Sequence, residues 1–237
     1  MKKIIVDKRI SDELKEALRS LGLQLIYLEG YSRLGGAIAS HPDTLLFKYK
    51  DRIFYPEGYE REHPEVLKEI REAAKSARLA PLPDDLSSVY PEDTRYNVLV
   101  AGGELFLKKT SAAGDILELK ESEGVRINPV KQGYPACSTL SLGNSAVTAD
   151  RGMSAELEKR GISVTLIRPG HISLPPYEYG FIGGASFVLE SFVYFFGDFR
   201  LHPDAELIEK AIRDAGLVPI SLSPTPLVDL GGAVVIE

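Results

Sequence analysis

"DLGGAVVIE" at residues 229–237 is the stretch on which the fold turns. An acidic residue and two glycines lead into aliphatic and β-branched residues, the pattern of a strand entered through a tight loop. Four earlier stretches are likewise entered through a polar or glycine-rich loop but continue into a second strand: "HPDTLLFKYKDRIFY" (41–55), "DTRYNVLVAGGELFL" (93–107), "ACSTLSLGNSAVTA" (136–149) and "GGASFVLESFVYFF" (183–196). Their first strands start near Thr44, Asn97, Thr139, Ser186 and Ala233, a spacing of about 47 residues that is kept when the count runs past the C-terminus and on from the N-terminus. The fifth stretch runs out after one strand, and "KKIIVD" (2–7) stands where its missing partner belongs. Residues from about Ile4 to Asp7 are therefore expected to pair with those from about Ala233 to Ile236, since neither can satisfy its backbone groups alone.

Working outward, each hairpin is preceded by a helix pattern and a short extended run. "SDELKEALRSLG" places Leu14, Leu18 and Leu21 on one face, with Ser11 as cap and Gly22 as stop, before "QLIYLE". "HPEVLKEIREAAKS" before "LAPLP" repeats the arrangement. So does "HPDAELIEKAIRDAG" before "LVPISLS", with Leu207, Ile208, Ala211 and Ile212 as the apolar stripe. "SAAGDILELKESEG" and "SAELEKRG" are shorter versions. Such a unit cannot bury both faces of its sheet, so five of them are expected to close into an α/β five-bladed propeller, one domain over 1–237, with helices outside. An open α/β sandwich is the alternative.

Composition narrows the function. The chain has 237 residues and a formal net charge of −6, with no run of Lys or Arg to follow a phosphate backbone, so nucleic acid is not an expected partner. No apolar stretch reaches the length of a signal peptide or a membrane span, which points to a cytoplasmic protein without a membrane partner. One cysteine excludes an internal disulfide, and neither C-x-x-C nor H-x-x-x-H occurs, so no metal site is expected. Phosphate-binding glycine loops and the G-x-S-x-G elbow are missing too, and no cofactor is expected.

The repeat plan over the whole chain, with "HPD" at a hairpin entrance, "IGGAS" in the fourth unit and "DLGG" in the fifth, resembles the pentein fold of guanidino-group-modifying enzymes. That superfamily includes arginine deiminases, dimethylarginine dimethylaminohydrolases and amidinotransferases, together with a non-catalytic ribosome-binding initiation factor. The chain is most similar to an uncharacterised bacterial branch that lacks the usual C-terminal catalytic Cys. The resemblance implies a nucleophilic cysteine after the last glycines, where Ala233, Val234 and Val235 stand instead. It also implies an acidic Glu-Gly-Gly-Asp-like loop, here Ile182, Gly183, Gly184 and Ala185 without either carboxylate, and a catalytic His that has no equivalent before the last unit.

Residues just before each first strand are expected at one end of a central channel. Alignment of the entrances puts His41, Pro42 and Asp43 in register with Ala136, Cys137 and Ser138. Arg95 and Tyr96 join from the second unit, Gly183 and Gly184 from the fourth, and Gly231 and Gly232 from the fifth. Glu29, Tyr31, Tyr134, His171, Tyr177, Glu178, Tyr179 and Asp229 are candidate rim residues. The candidate catalytic set is Cys137, His41 and Asp43; the candidate ligand-binding set is Arg95, Tyr96, Ser138, Tyr177, Glu178, Gly183, Gly184 and Asp229. A base beside a thiol lowers its pKa, and a carboxylate takes a guanidinium through two hydrogen bonds. Equally, a single cysteine is commonly a buried small side chain, here among Leu140 and Val147, and His41-Pro42-Asp43 can be a turn or a strand entry. The glycine pairs serve tight packing as readily as ligand approach. Two functions remain: a protein binding a small cationic guanidino- or amino-type metabolite in the channel without the usual catalytic set, or a C–N hydrolase or transferase of guanidino or amidino compounds with Cys137 as nucleophile.

Overall fold

The computed structural model describes residues 2–74 and 76–236. Lys3–Asp7 (β1) and Gln24–Leu28 (β2) run parallel in one sheet. Four further sheets follow in chain order: Phe47–Tyr49 (β3), Arg52–Pro56 (β4) and Arg78–Leu82 (β5); Leu99–Ala101 (β6), Glu104–Leu107 (β7) and Ile127–Pro129 (β8); Thr139–Ser141 (β9), Ser145–Thr148 (β10) and Ser163–Leu166 (β11); Ser186–Leu189 (β12), Phe192–Phe195 (β13) and Val218–Ser221 (β14). The last strand, Val234–Ile236 (β15), returns to the first sheet and pairs antiparallel with β1, in the register Lys3 to Ile236, Ile4 to Val235 and Ile5 to Val234. Among the described residues the molecule is thus mixed α/β with five three-stranded sheets. Every sheet has the same plan, a central strand antiparallel to one neighbour and parallel to the other. The antiparallel pairs within single hairpins need only tight tips, and Gly102 and Gly103 supply one with φ of +57° and +74°. The parallel strands need crossovers, which the helices provide.

The helices are Asp12–Ser20 (α1), Pro42–Leu45 (α2), Glu57–Glu62 (α3), Pro64–Ala73 (α4), Gly114–Leu117 (α5), Leu119–Glu123 (α6), Pro135–Ser138 (α7), Arg151–Glu158 (α8) and Ala205–Asp214 (α9). Ser11 caps α1 by accepting from the Leu14 amide, and Leu14 and Leu18 pack with Ile4, Val6 and Leu25. Burial of each such side chain contributes about 1.5–3 kcal/mol. Leu21 and Leu207, expected on buried faces, are exposed: Leu21 is the C-cap of α1, and in α9 the buried positions are Ile208, Ala211 and Ile212. The helix expected over "SAAGDILELKESEG" is two short helices, and the one expected to start at Ser154 starts at Arg151, because Asp150 accepts from the Met153 amide as N-cap. Lys75, within the stretch expected to form the helix ending "AAKS", lies outside the described residues. No helix among the described residues is long and apolar enough to cross a membrane.

What positions the site is the set of segments just ahead of β3, β6, β9, β12 and β15. Two of them, expected to enter strands directly, form single helical turns, α2 and α7, each with Pro at its first position, where the missing N–H is no loss. Backbone and amide hydrogen bonds then pass from segment to segment. Asn97 donates Nδ2 to the Asp43 carbonyl at 3.0 Å and accepts the Ala136 amide at 2.8 Å; Gly184 N–H donates to the Cys137 carbonyl at 2.9 Å. The Leu230 and Gly232 amides both donate to the Gly184 carbonyl, and the Asp43 amide donates to the Gly231 carbonyl at 3.1 Å. The circuit visits all five segments and returns to its start.

Candidate functional site

From three of those segments four ionisable side chains, of His41, Asp43, Cys137 and Asp229, converge from positions far apart in the chain. Asp229 accepts the Gly231 amide on Oδ1 and the Phe181 amide on Oδ2, so its carboxylate is fixed by two loops. The Cys137 thiol, buried at 4% exposure, donates towards its Oδ1 and Oδ2 at 3.4 and 3.3 Å. His41, 1% exposed, turns Nδ1 towards Asp43 Oδ1 at 4.0 Å and Asp229 Oδ1 at 3.9 Å, and Nε2 towards Asp7 Oδ2 at 3.8 Å. One donor atom each of His41, Asp43 and Cys137 lies within 4.8 Å of the others. Asp7, at the end of β1, is held in turn by Arg9 and by Ser40 Oγ at 2.7 Å.

Burial, followed by the Asp229 and Asp43 carboxylates, drives the Cys137 thiol well above its usual range, so it is the protonated, hydrogen-bond-donating form that sits here at neutral pH. Burial also pushes the Asp43 carboxyl up to about 6, against the lowering influence of His41 and with the Asp229 charge adding to the rise. A thiol flanked by two carboxylates is poorly set up to attack. Cys137 is buried, as the sequence leads one to expect, and its polar neighbour is Asp229, 92 positions away.

His41 and Cys137 form part of the lining of a cavity of about 540 Å³. Its walls carry Tyr90, Tyr134, Tyr177, Tyr179 and Phe181, and its other ionisable groups are Asp93 and Glu178; no Lys or Arg lines it among the described residues. Tyr134 donates its hydroxyl to Asp93, whose carboxyl burial pushes up. On the other side of the cluster Asp43, Ala136 and Tyr96 line a second cavity of about 310 Å³, whose remaining lining is mostly aliphatic and comes from β3, β6, β12 and β15 with the residues beside them.

Of the candidates read from sequence, His41, Asp43, Cys137 and Asp229 come together, and Tyr177 and Glu178 line the larger cavity. Arg95 does not reach it: its guanidinium faces Glu92 and the Ser111 carbonyl. Tyr96 donates to the Asp84 carbonyl at 2.6 Å, and Ser138 is buried with its hydroxyl on the Pro135 carbonyl. Gly183 and Gly184 serve close packing within the protein, not ligand approach. A Cβ on Gly183 would lie 2.2 Å from the Ala136 carbonyl, and one on Gly184 would lie 2.0 Å from Asp229 Oδ1 and 2.6 Å from Cys137 Sγ. His171 stacks edge-on against His202, outside the cluster. Sequence reasoning missed Asn97, one residue beyond the pair it chose, and Asp7, Tyr90 and Asp93. The polar end of an otherwise apolar strand was the available signal for Asp7.

The chain matches a family model described as "Family of unknown function (DUF6873)" over residues 5–234. No curated protein matches it. Among solved structures it is similar to DDAH from Pseudomonas aeruginosa in complex with citrulline, at 10% identity and a TM-score of 0.57, over 94% of this chain and 92% of that one. It is also similar to SxtG, an amidinotransferase from Microseira wollei, at 13% identity and a TM-score of 0.57, over 94% and 88%. A third likeness is to the N-terminal domain of ArgZ, a cyanobacterial arginine dihydrolase, bound to product, at 10% identity and a TM-score of 0.55, over 93% and 90%. These likenesses establish a shared fold, the pentein fold of guanidino-modifying enzymes. Where the resemblance calls for a cysteine after the last glycines, Ala233 and Val234 lead into β15.

Proposed function

The chain belongs to that family of unknown function, and we propose that it binds a small organic cation of amino or guanidino type in the larger cavity, without covalent chemistry at Cys137. One observation carries the reading: an aromatic-walled cavity whose carboxylates, Asp93 and Glu178, have no Lys or Arg beside them in the lining among the described residues. Tyrosine faces attract a desolvated cation, and paired carboxylate oxygens suit a planar guanidinium. In the same reading the chain is one pentein-like domain whose five sheets are blades around a common axis. The hydrogen-bonded circuit through all five segments and the shared lining of the smaller cavity support that arrangement. Calorimetric titration with guanidino and amino compounds is expected to give binding that Glu178→Gln or Asp93→Asn weakens by about 10–100-fold, the worth of a hydrogen bond to a charged group. Binding of anions alone, or of no cation in the panel, would end the reading.

A second reading has one observation in its favour, the convergence of Cys137, His41 and Asp43 within 4.8 Å. In it Cys137 is the nucleophile of a hydrolase or transferase acting on a C–N bond of a guanidino or amidino compound, with His41 as acid-base. It requires a thiolate, and rapid alkylation of the native chain by iodoacetamide below the ordinary thiol pKa of about 8.5 would favour it over binding alone.

A further inference from the structure

His41 is the buried group that neither the fold nor the organic-cation reading accounts for. It is 1% exposed, and among the described residues neither ring nitrogen has a hydrogen-bond partner. Its Nδ1 lies 4.0 and 3.9 Å from two carboxylates, too far for a hydrogen bond to either, and the Cys137 thiol lies 3.3–3.4 Å from the oxygens of Asp229. Donor atoms around a tetrahedral ion bonded at about 2.0–2.3 Å are themselves about 3.3–3.8 Å apart. The separations from Asp229 to Cys137 and from His41 to both carboxylates, 3.3–4.0 Å, lie at or just above that range, and the donor atoms of His41, Asp43 and Cys137 lie within 4.8 Å of one another.

We propose that His41 Nδ1, Cys137 Sγ and the carboxylates of Asp43 and Asp229 form a site for a zinc-class divalent transition metal at the wall between the two cavities. One imidazole, one sulfur and two carboxylates suit zinc, cobalt or iron(II), whereas calcium and magnesium take oxygen ligands. The surroundings are built to hold the donors. Asp7 faces His41 Nε2 and is itself fixed by Arg9 and Ser40, the carboxylate behind a metal-ligating histidine. Asn97 ties the backbone of Asp43 to that of Ala136, and two amides hold Asp229. His41 and Cys137 line the larger cavity, which gives the ion a way in. On binding, the Cys137 S–H bond breaks, its proton passes to solvent and the sulfur lone pair forms the bond to the metal. The four donors come from three entrance segments far apart in sequence, so no ligand-spacing motif announces them.

The inference is independent of the organic-cation reading, and the experiment keeps the two apart. The full chain, freed of metal by a chelator, is titrated with Zn²⁺ or Co²⁺ alone and measured by elemental analysis after gel filtration and by the absorption of the cobalt form. The expected result is one metal per chain, a raised melting temperature and a sulfur-to-cobalt charge-transfer band. The chain has one cysteine, so that band can arise only from Cys137 and reads the site without any variant. Cys137→Ser should abolish the band, and Asp7→Asn should weaken metal affinity by about 10–100-fold. Failure to retain zinc or cobalt, retention of cobalt without the sulfur band, or retention unchanged in both His41→Gln and Cys137→Ser would overturn the proposal. The first outcome would leave bridging water as the occupant of the cluster. Calorimetry of organic cations on the metal-free chain, done separately, tests the other reading.

Discussion

The two cavities share one polar wall and differ in almost everything else. The larger presents His41, Cys137, Asp93 and Glu178 among aromatic rings; the smaller presents Val98, Val100, Val188, Val234 and their neighbours, with Lys48 and Asp43 as its ionisable groups. Strands that alternate sides can supply only what their pleat allows, and the short strands lining the smaller cavity are mostly apolar. The loops ahead of them carry no such constraint. Chemistry therefore collects on the loop side of the wall, and the strand side is packing surface.

The strongest way to break the comparison is to remove the strand that supports both sides. Deleting residues 2–7 takes away the central strand of the first sheet and the Asp7 carboxylate behind His41. The shortened chain is expected not to fold cooperatively, and a parental melting temperature by circular dichroism would contradict the account. Next in size is Gly184→Ala, whose new methyl would meet Asp229 and Cys137 at 2.0 and 2.6 Å and should destabilise the chain by about 3 kcal/mol in urea unfolding. Val188→Ala, on the aliphatic side and partly exposed, should change stability by about 0.5 kcal/mol. Equal effects would mean that the wall is not the sensitive element.

Titration of the metal-free chain sharpens the contrast. Asp43 titrates at about 6 when folded, against about 3.9 in the unfolded chain, so the folded form holds the extra proton between those values. Its contribution is fully present below about pH 3.9 and is lost as pH rises through about 6, a change on the order of 3 kcal/mol that Asp43→Asn should flatten. Cys137 behaves likewise at higher pH: above about 8.5 the unfolded thiol ionises while the folded one does not, and stability should decline. The smallest change expected is in alkylation, where the native metal-free thiol should be nearly inert to iodoacetamide at neutral pH and react on unfolding.

The sheets were legible because each hairpin is a short local pattern, with apolar alternation on both sides of a turn, and the pairing of β1 with β15 followed from the one hairpin that lacked a partner. The site was legible in part. His41, Asp43 and Cys137 were placed at hairpin entrances by the spacing of the units, which holds to within a few residues. That tolerance is too coarse to separate Tyr96, whose hydroxyl donates to the Asp84 carbonyl, from Asn97, which stitches two entrances together. Tyr90 comes from a loop with no period to read, Asp93 opens the second hairpin stretch but stands ahead of the pair chosen there, and the meeting of Cys137 with Asp229 depends on packing between units, which no local pattern encodes.

The circuit of hydrogen bonds through the five entrance segments has a consequence for how the molecule opens. A closed loop of mutual dependence has no free end from which to fray, so separating any segment means cutting the loop in two places. The amides of Asp43, Ala136, Gly184 and Gly232 should consequently exchange their hydrogens for deuterium only when the whole structure unfolds, all four at one common free energy, while amides of the exposed loops exchange by local fluctuation.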